Sequence, residues 1–143
     1  MRVARQELPG RRHRVLLLEN DPEARRAILA MLKKADYAVV EAAGSDQAMT
    51  LLGMNGRSPA VSAILCDIRV TKIKGIEAVT YFRVRYPQVP VIVTASYPDI
   101  EWAISLMKRG ITDYLVKPVS RNDLMMVIKG AVDRYAMVKR GSL

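Results

Sequence analysis

The residues of this sequence that could do chemistry together are polar side chains that each follow an apolar run. They are Asp67, the triplet Glu19-Asn20-Asp21, Thr94 and Lys117. Asp67 follows the apolar part of the segment AILCDIRV, and a carboxylate can act as a nucleophile. Phosphoryl transfer depends on positioning and on neutralising charge, tasks that suit a hydroxyl, an ammonium group and further oxygen ligands. These segments therefore supply the polar groups that a phosphorylatable aspartate would need.

The elements that must position these residues alternate between strand and helix. The predicted strands are Val15–Leu18, Tyr37–Glu41, Val61–Cys66, Val91–Thr94 and Tyr114–Val116. The predicted helices start at Asp21-Pro22, at Gly44-Ser45, at Gly75 with a body around Ile76 to Tyr86, at Pro98, and at Ser120. Such alternation implies a parallel sheet with helices on both faces. Ligands collect at the carboxyl edge of such a sheet, so we expect the polar groups to meet there.

Length and composition indicate one domain. The chain has 143 residues, half of them hydrophobic, and no apolar run approaches the roughly 20 residues of a membrane span. The amino terminus lacks the apolar region of a secretory signal. The single cysteine, Cys66, lies in an apolar run, and we expect a small core residue rather than a reactive thiol. These features predict a cytoplasmic protein.

The net charge of +9 is concentrated in the two ends of the chain. Residues 1–14 carry five arginines and one glutamate, and residues 133–143 carry three basic residues and one aspartate. A basic arm can bind nucleic acid or anionic lipid through phosphate contacts. No aromatic residue interleaves the arm and no nucleic-acid-binding motif accompanies it, so we favour a solvated tail in which His13 is also solvated.

The sequence resembles the receiver domain of bacterial two-component response regulators. The resemblance rests on VLLLENDP, on ILCDIRV with Gly75 eight residues beyond the aspartate, on VIVTAS and on DYLVKP, in that order. It implies an α/β fold of the flavodoxin-like type, a three-layer α/β/α sandwich with a five-stranded parallel sheet of order 2-1-3-4-5 and five helices. Residues 14–138 would form this domain, after a basic arm at 1–13 and before a tail or linker at 139–143. The stretch from Val93 to Pro118 looks most like receivers of the nitrogen-regulator class.

The resemblance implies roles for four of the residues. Asp67 would accept a phosphoryl group from a histidine kinase or a phosphotransfer protein, and Lys117, before a cis bond to Pro118, would pair with the phosphoryl oxygens. Thr94 would hydrogen-bond the phosphoryl group, and Tyr114 would swing inward as that hydroxyl moves. The protein would be a switch that assists its own phosphorylation and dephosphorylation, and not a turnover enzyme.

The resemblance also implies a Mg²⁺ ion, with one departure from the family pattern. Receivers have two adjacent acids after the first strand, and here these positions hold Glu19 and Asn20. Asp67 and the backbone carbonyl of Arg69 would complete the set. Because an amide oxygen brings no charge, we expect weaker Mg²⁺ binding than in a receiver with both acids. Asp21 cannot substitute, because it is predicted to cap the first helix.

The family commonly uses the surface of helix four, strand five and helix five for dimer or partner contacts. We expect Trp102 with Leu106, and Met125 with Met126, to form exposed apolar patches there, outside the inward-facing stripe of each helix. The partner would be a second copy, an effector domain in a longer native chain, or another protein that controls transcription.

Three alternatives stay open. The first is a pseudo-receiver that acts as an interaction module without phosphorylation, for which Asn20 is the main support. The second is a nucleic-acid-binding protein that uses its basic ends. The third is a phosphatase-type hydrolase on a similar sheet. We rank it lowest because that class needs a second acid where Arg69 stands, two residues past the nucleophile.

Overall fold

The computed structural model describes residues 13–53, 61–68 and 72–139, and within them one parallel sheet is covered by helices on both faces. Its strands, all parallel, follow the order β2-β1-β3-β4-β5. The strands are β1 (Arg14–Leu18), β2 (Ala38–Ala42), β3 (Ala63–Asp67), β4 (Val91–Ala95) and β5 (Asp113–Val116). The helices are α1 (Pro22–Lys34), α2 (Ser45–Gly53), α3 (Lys72–Arg85), α4 (Ile100–Lys108) and α5 (Arg121–Lys139). The predicted fold and strand order are confirmed.

The core lies in two layers, one on each face of the sheet. Alternate residues of the central strands point to opposite faces, so Val15 and Leu65 pack under α1 and α5 while Leu16 and Ile64 pack under the other three helices. Because both faces are covered, the central strands are apolar at nearly every position, which is why they are visible in the sequence as short continuous apolar runs. None of the helices in the described residues is long and apolar enough to cross a bilayer.

The start of α1 agrees with the sequence, and the start of α3 does not. Asp21 caps α1, and its side chain accepts a hydrogen bond from the Ala24 N–H at 3.1 Å. The prediction that Gly75 opens α3 is wrong, because the helix begins at Lys72 and Gly75 lies inside it. A Cβ atom at Gly75 would lie 2.9 Å from the Cβ of Ile68. The glycine therefore permits a close approach of α3 to the end of β3, and does not mark a turn.

The prediction of an exposed Trp102–Leu106 pair on α4 is also wrong. Leu106 is completely buried, and Trp102 is partly buried against the core. The exposed face instead carries Ile100, Ile104 and Met107, with exposed fractions of 75%, 50% and 49%. Both stripes recur at helical spacing, and the core covers only the stripe that contains Leu106.

The two neighbouring methionines of α5 differ in their exposure to solvent. Met126 is 68% exposed, as expected, whereas Met125 is partly buried against the core layer under α1 and α5. The α5 helix begins as predicted, since the Ser120 hydroxyl accepts a hydrogen bond from the Asp123 N–H at 3.1 Å. Helix α4 ends at Lys108, and Gly110 follows with φ of +98°, a conformation that favours glycine.

Candidate functional site

Parallel register brings the predicted site residues to one edge of the sheet. Asp67 at the end of β3 lies beside Thr94 of β4, and Leu18 pairs with Cys66, which places Glu19 next to Asp67. Beyond β5, the Lys117 N–H donates to the carbonyl of Ala95 at 2.8 Å, which holds the lysine backbone against β4. The bond between Lys117 and Pro118 is cis, as predicted.

Lys117 joins the two carboxylates of the site. Its Nζ donates a hydrogen bond to Glu19 Oε2 at 2.9 Å and lies 3.5 Å from Asp67 Oδ2. The exposed fractions of the three side chains are 9% for Lys117, 0% for Glu19 and 2% for Asp67. Charges that are this deeply buried require a partner of opposite sign. The arrangement is therefore a buried ion cluster with two carboxylates and one ammonium group.

Glu19 has one engaged oxygen and one that stays open. Oε2 accepts from Lys117 and also from the backbone N–H of Asp21 at 3.2 Å. Oε1 is buried and accepts no hydrogen bond from the described residues. Burial raises the pKa of Glu19 above its ordinary value, and the neighbouring charge of Asp67 acts in the same direction, against the hydrogen bond from Lys117.

The donor atoms fit a hard divalent cation. Mg²⁺ prefers oxygen ligands and is commonly held by one or two carboxylates while it keeps several waters. Glu19 Oε1, a buried acceptor, and Asp67 provide such a pair. Within the described ranges no group of three or more acidic, histidine or cysteine side chains could hold a metal ion. Asn20 is exposed next to Glu19, whereas Arg69, the fourth predicted ligand, lies outside the described residues.

The two predicted switch residues lie on neighbouring strands. Thr94 is 1% exposed and occupies the strand position between Asp67 of β3 and Leu115 of β5. Tyr114 is half-buried against the core layer under α2, α3 and α4. Its hydroxyl donates a hydrogen bond to the carbonyl of Tyr97 at 3.3 Å, which ties β5 to the loop before α4. This contact connects the end of the sheet with the helix whose exposed face is apolar.

Two further residues test expectations outside the site. Cys66 is buried, and burial raises the pKa of its thiol to about 12, so the expectation of an unreactive core residue is supported. The expectation that His13 is solvated is wrong. Its ring is partly buried, and Nδ1 lies 3.0 Å from the Ser62 hydroxyl at the opposite edge of the sheet.

The structure also contains a cavity beside the ion cluster that the sequence did not predict. It has a volume of about 460 Å³ and lies between α1 and the connection from β5 to α5. Its lining includes Ala24, Ile28, Met31, Pro118 and Val119, and Lys117 stands in its wall. The only sequence signal was the apolar stripe of α1, which the periodicity assigned to the core as a whole. Part of that stripe borders this cavity instead.

Comparisons with known proteins point to one family. Residues 15–129 match the family described as the response regulator receiver domain. A response regulator described as NtrX-like from Rickettsia typhi is 31% identical over 121 residues, which cover 83% of this chain and 25% of that protein. The transcriptional regulatory protein ZraR of Klebsiella oxytoca is 26% identical, with 87% of this chain and 27% of that protein covered. The crystal structure of a response regulator receiver domain from Clostridium thermocellum is 24% identical, with a TM-score of 0.78 and coverage of 88% and 98%.

The family match contains every described residue of the site, from Glu19 to Lys117. The relatives confirm the resemblance to receivers of the nitrogen-regulator class, and the chain spans about a quarter of the length of the curated relatives it matches. With the strand order, the ion cluster at the carboxyl edge and this match together, the chain belongs to the receiver domain family of two-component response regulators.

Proposed function

We propose that Asp67 is the residue of this receiver that accepts a phosphoryl group from a phosphohistidine of a sensor kinase or a phosphotransfer protein. The observation that carries the proposal is the buried cluster in which Lys117 contacts both Asp67 and Glu19 beside Thr94. A lone aspartate that caps a turn would not need a lysine from another strand end at 3.5 Å.

In the proposed reaction an oxygen of Asp67 attacks phosphorus and the bond from phosphorus to the imidazole nitrogen breaks. The electron pair of that bond goes to the imidazole, and the product is an acyl phosphate. Lys117 needs only a small movement to pair with a phosphoryl oxygen, because it already lies between the two carboxylates. The Thr94 hydroxyl, on the neighbouring strand, would hydrogen-bond the same group.

We assign the Mg²⁺ site to Glu19, Asn20 and Asp67 with the backbone carbonyl of Arg69. A bound Mg²⁺ ion would supply neutralisation of the charge that gathers on the phosphoryl oxygens. Glu19 Oε1 supports this assignment, because it is a buried acceptor that the described residues leave open. Asn20 supplies a neutral oxygen, so only two of the proposed side-chain ligands carry charge.

The cavity between α1 and the β5–α5 connection supports an approach of the donor from that side. Its lining combines apolar residues of α1 and of the β5–α5 connection with four polar residues, Asp21, Glu23, Ser96 and Lys117, and Lys117 belongs to the ion cluster. An apolar contact beside a phosphohistidine would hold the donor over Asp67. The proposed donor surface therefore lies on the face of the sheet that α1 covers, whereas α4 packs on the opposite face.

The output surface is proposed on α4, β5 and α5, with corrected residues. Ile100, Ile104 and Met107 of α4 and Met126 of α5 are exposed, in place of the predicted pair of Trp102 and Leu106. The hydroxyl of Tyr114 donates a hydrogen bond to the loop before α4, so a movement of Thr94 and Tyr114 would shift that loop and the exposed face of α4. The partner would be a second copy or an effector domain that controls transcription, and hydrolysis of the acyl phosphate by the domain itself would reset the switch.

The experiment is phosphorylation by acetyl phosphate, with beryllofluoride as a stable mimic, in the presence of Mg²⁺. We expect a phosphorylated band on phosphate-affinity gels for the native chain and none for Asp67→Asn. The fluorescence of Trp102, at the start of α4, should change with beryllofluoride in the native chain alone. Absence of both responses in the native chain would favour the second candidate, the pseudo-receiver, which Asn20 supports.

A further inference from the structure

Asp21, which caps α1, also donates a hydrogen bond to Glu19, the carboxylate that is paired with Lys117. Asp21 has an extended backbone with φ of −76° and ψ of 117°, and its Oδ2 accepts the Ala24 N–H at 3.1 Å. Its own backbone N–H donates to Glu19 Oε2 at 3.2 Å. One residue therefore begins the helix with its side chain and anchors Glu19 with its backbone.

The two anchors of Glu19 act on the same oxygen and leave the other for a ligand. Oε2 receives Lys117 Nζ and the Asp21 N–H, while Oε1 is buried and accepts nothing from the described residues. Both donors bind Oε2 and so leave Oε1 for a cation, and without the Asp21 N–H only Lys117 of the described residues would donate to this carboxylate. The direction of Oε1 therefore depends on the backbone of Asp21 being fixed.

We propose that Asp21 is a positioning residue for cation binding at this site. By capping α1 it fixes its own N–H against Glu19, and so it holds Glu19 Oε1 in the orientation that a divalent cation needs. We assign Asp21 a positioning role and not that of a ligand, because its Oδ2 caps α1 through the Ala24 N–H. This inference rests on the proposed function only in taking Glu19 as a ligand of the cation.

The test compares Mn²⁺ binding, measured from the paramagnetic resonance signal of free Mn²⁺ with Mg²⁺ as competitor, in two variants of Asp21. Asp21→Ala and Asp21→Asn remove the same charge, but asparagine is also a good N-cap. We expect Asp21→Ala to weaken Mn²⁺ binding about fivefold, as the loss of one cap would do. We expect Asp21→Asn to stay within about twofold of the native affinity, since the cap is kept.

Asp99 offers a matched control, because it caps α4 in the same way and accepts the Trp102 N–H at 2.9 Å. Asp99→Ala should lower the urea midpoint about as much as Asp21→Ala does while leaving Mn²⁺ affinity unchanged. Equal binding by Asp21→Ala and the native chain would overturn the inference, and so would an equal loss in Asp21→Asn, which would assign the effect to charge.

Phosphorylation of Asp67 and cation binding at Glu19 are measured separately, so each can fail without the other. A native chain that binds Mn²⁺ with the expected order of variants, but is not phosphorylated by acetyl phosphate, would refute the proposed function and leave the role of Asp21 intact. A native chain that binds no Mn²⁺ would overturn the role of Asp21 directly.

Discussion

Lys117 is expected to contribute most of its stabilisation as the counter-ion of two buried carboxylates. Its removal in Lys117→Met leaves Glu19 and Asp67 facing each other with exposed fractions of 0% and 2%. Breaking a buried pair by deleting one partner costs about 3–5 kcal/mol. We expect a loss near the lower end, about 3 kcal/mol in the free energy of unfolding at pH 8, because Lys117 itself is 9% exposed and water can partly replace it.

The loss should depend on pH, because Glu19 can take up a proton. Burial already raises the pKa of Glu19 above its ordinary value of 4.5, and removal of Lys117 takes away a hydrogen bond that lowers it. The folded variant then binds this proton at a higher pH than the unfolded chain does. Its stability falls as the pH rises through the folded pKa of Glu19, so the gap to the native chain narrows from pH 8 toward pH 5.

The assay is urea unfolding at pH 5 and pH 8 with Lys129→Met as the matched control. Lys129 makes an ion pair of the same 2.9 Å length with Asp133, but both side chains are mostly exposed. Its loss should cost at most about 0.5 kcal/mol at either pH. Adding Glu19→Gln to Lys117→Met should recover about half of the loss, because it removes one of the two charges. Equal losses for Lys117→Met and Lys129→Met, or a loss that is the same at both pH values, would refute this reasoning.

Three other outcomes are expected. Asn20→Asp should tighten Mg²⁺ binding about tenfold in a calorimetric titration, since it adds a charged oxygen, and an unchanged affinity would remove Asn20 from the site. Gly110→Ala should lower the free energy of unfolding by about 1–2 kcal/mol because of its positive φ and a Cβ position 2.9 Å from Arg83 Nε, whereas Gly130→Ala in open helix surface should raise it by about 0.5–1 kcal/mol in urea unfolding. Cys66 should react with a thiol reagent only as fast as the domain opens, so labelling that matches a free thiol would contradict its burial.

Most of the fold could be predicted from the sequence because the central strands are covered on both faces. An apolar run followed at once by a polar residue marks both the strand and its carboxyl edge, which is why Asp67, Thr94 and Lys117 were placed together correctly. The phase of α4 could not be predicted this way. Trp102 with Leu106 and Ile100 with Ile104 are both four residues apart, and helical spacing alone does not say which pair the sheet covers.

Other contacts could not be predicted because they depend on how the folded backbone brings particular atoms together. Gly75 is a residue type typical of turns, but here it permits a close approach of α3 to Ile68. His13 stands in a basic stretch of sequence, but its ring lies against the hydroxyl of Ser62, 49 residues away. The hydrogen bond from the Asp21 backbone N–H to Glu19 Oε2 likewise cannot be predicted from residue types, because every residue except proline has such an N–H. Spacing can locate the carboxyl edge of a sheet, but it cannot show which oxygen of a carboxylate remains open there.

The neutral Asn20, which stands where receivers have an acid, has two consequences that act in opposite directions. With two carboxylates around Lys117 the resting cluster has a formal charge of −1, whereas a third acid would make it −2. The lower charge attracts a divalent cation less, but it also repels an incoming phosphoryl group less, since both effects scale with the same local charge. Asn20→Asp should therefore favour cation binding while it disfavours phosphorylation in the absence of cation. The ratio of phosphorylation rates with and without Mg²⁺ isolates the contribution of Asn20, because changes in donor binding affect both rates alike.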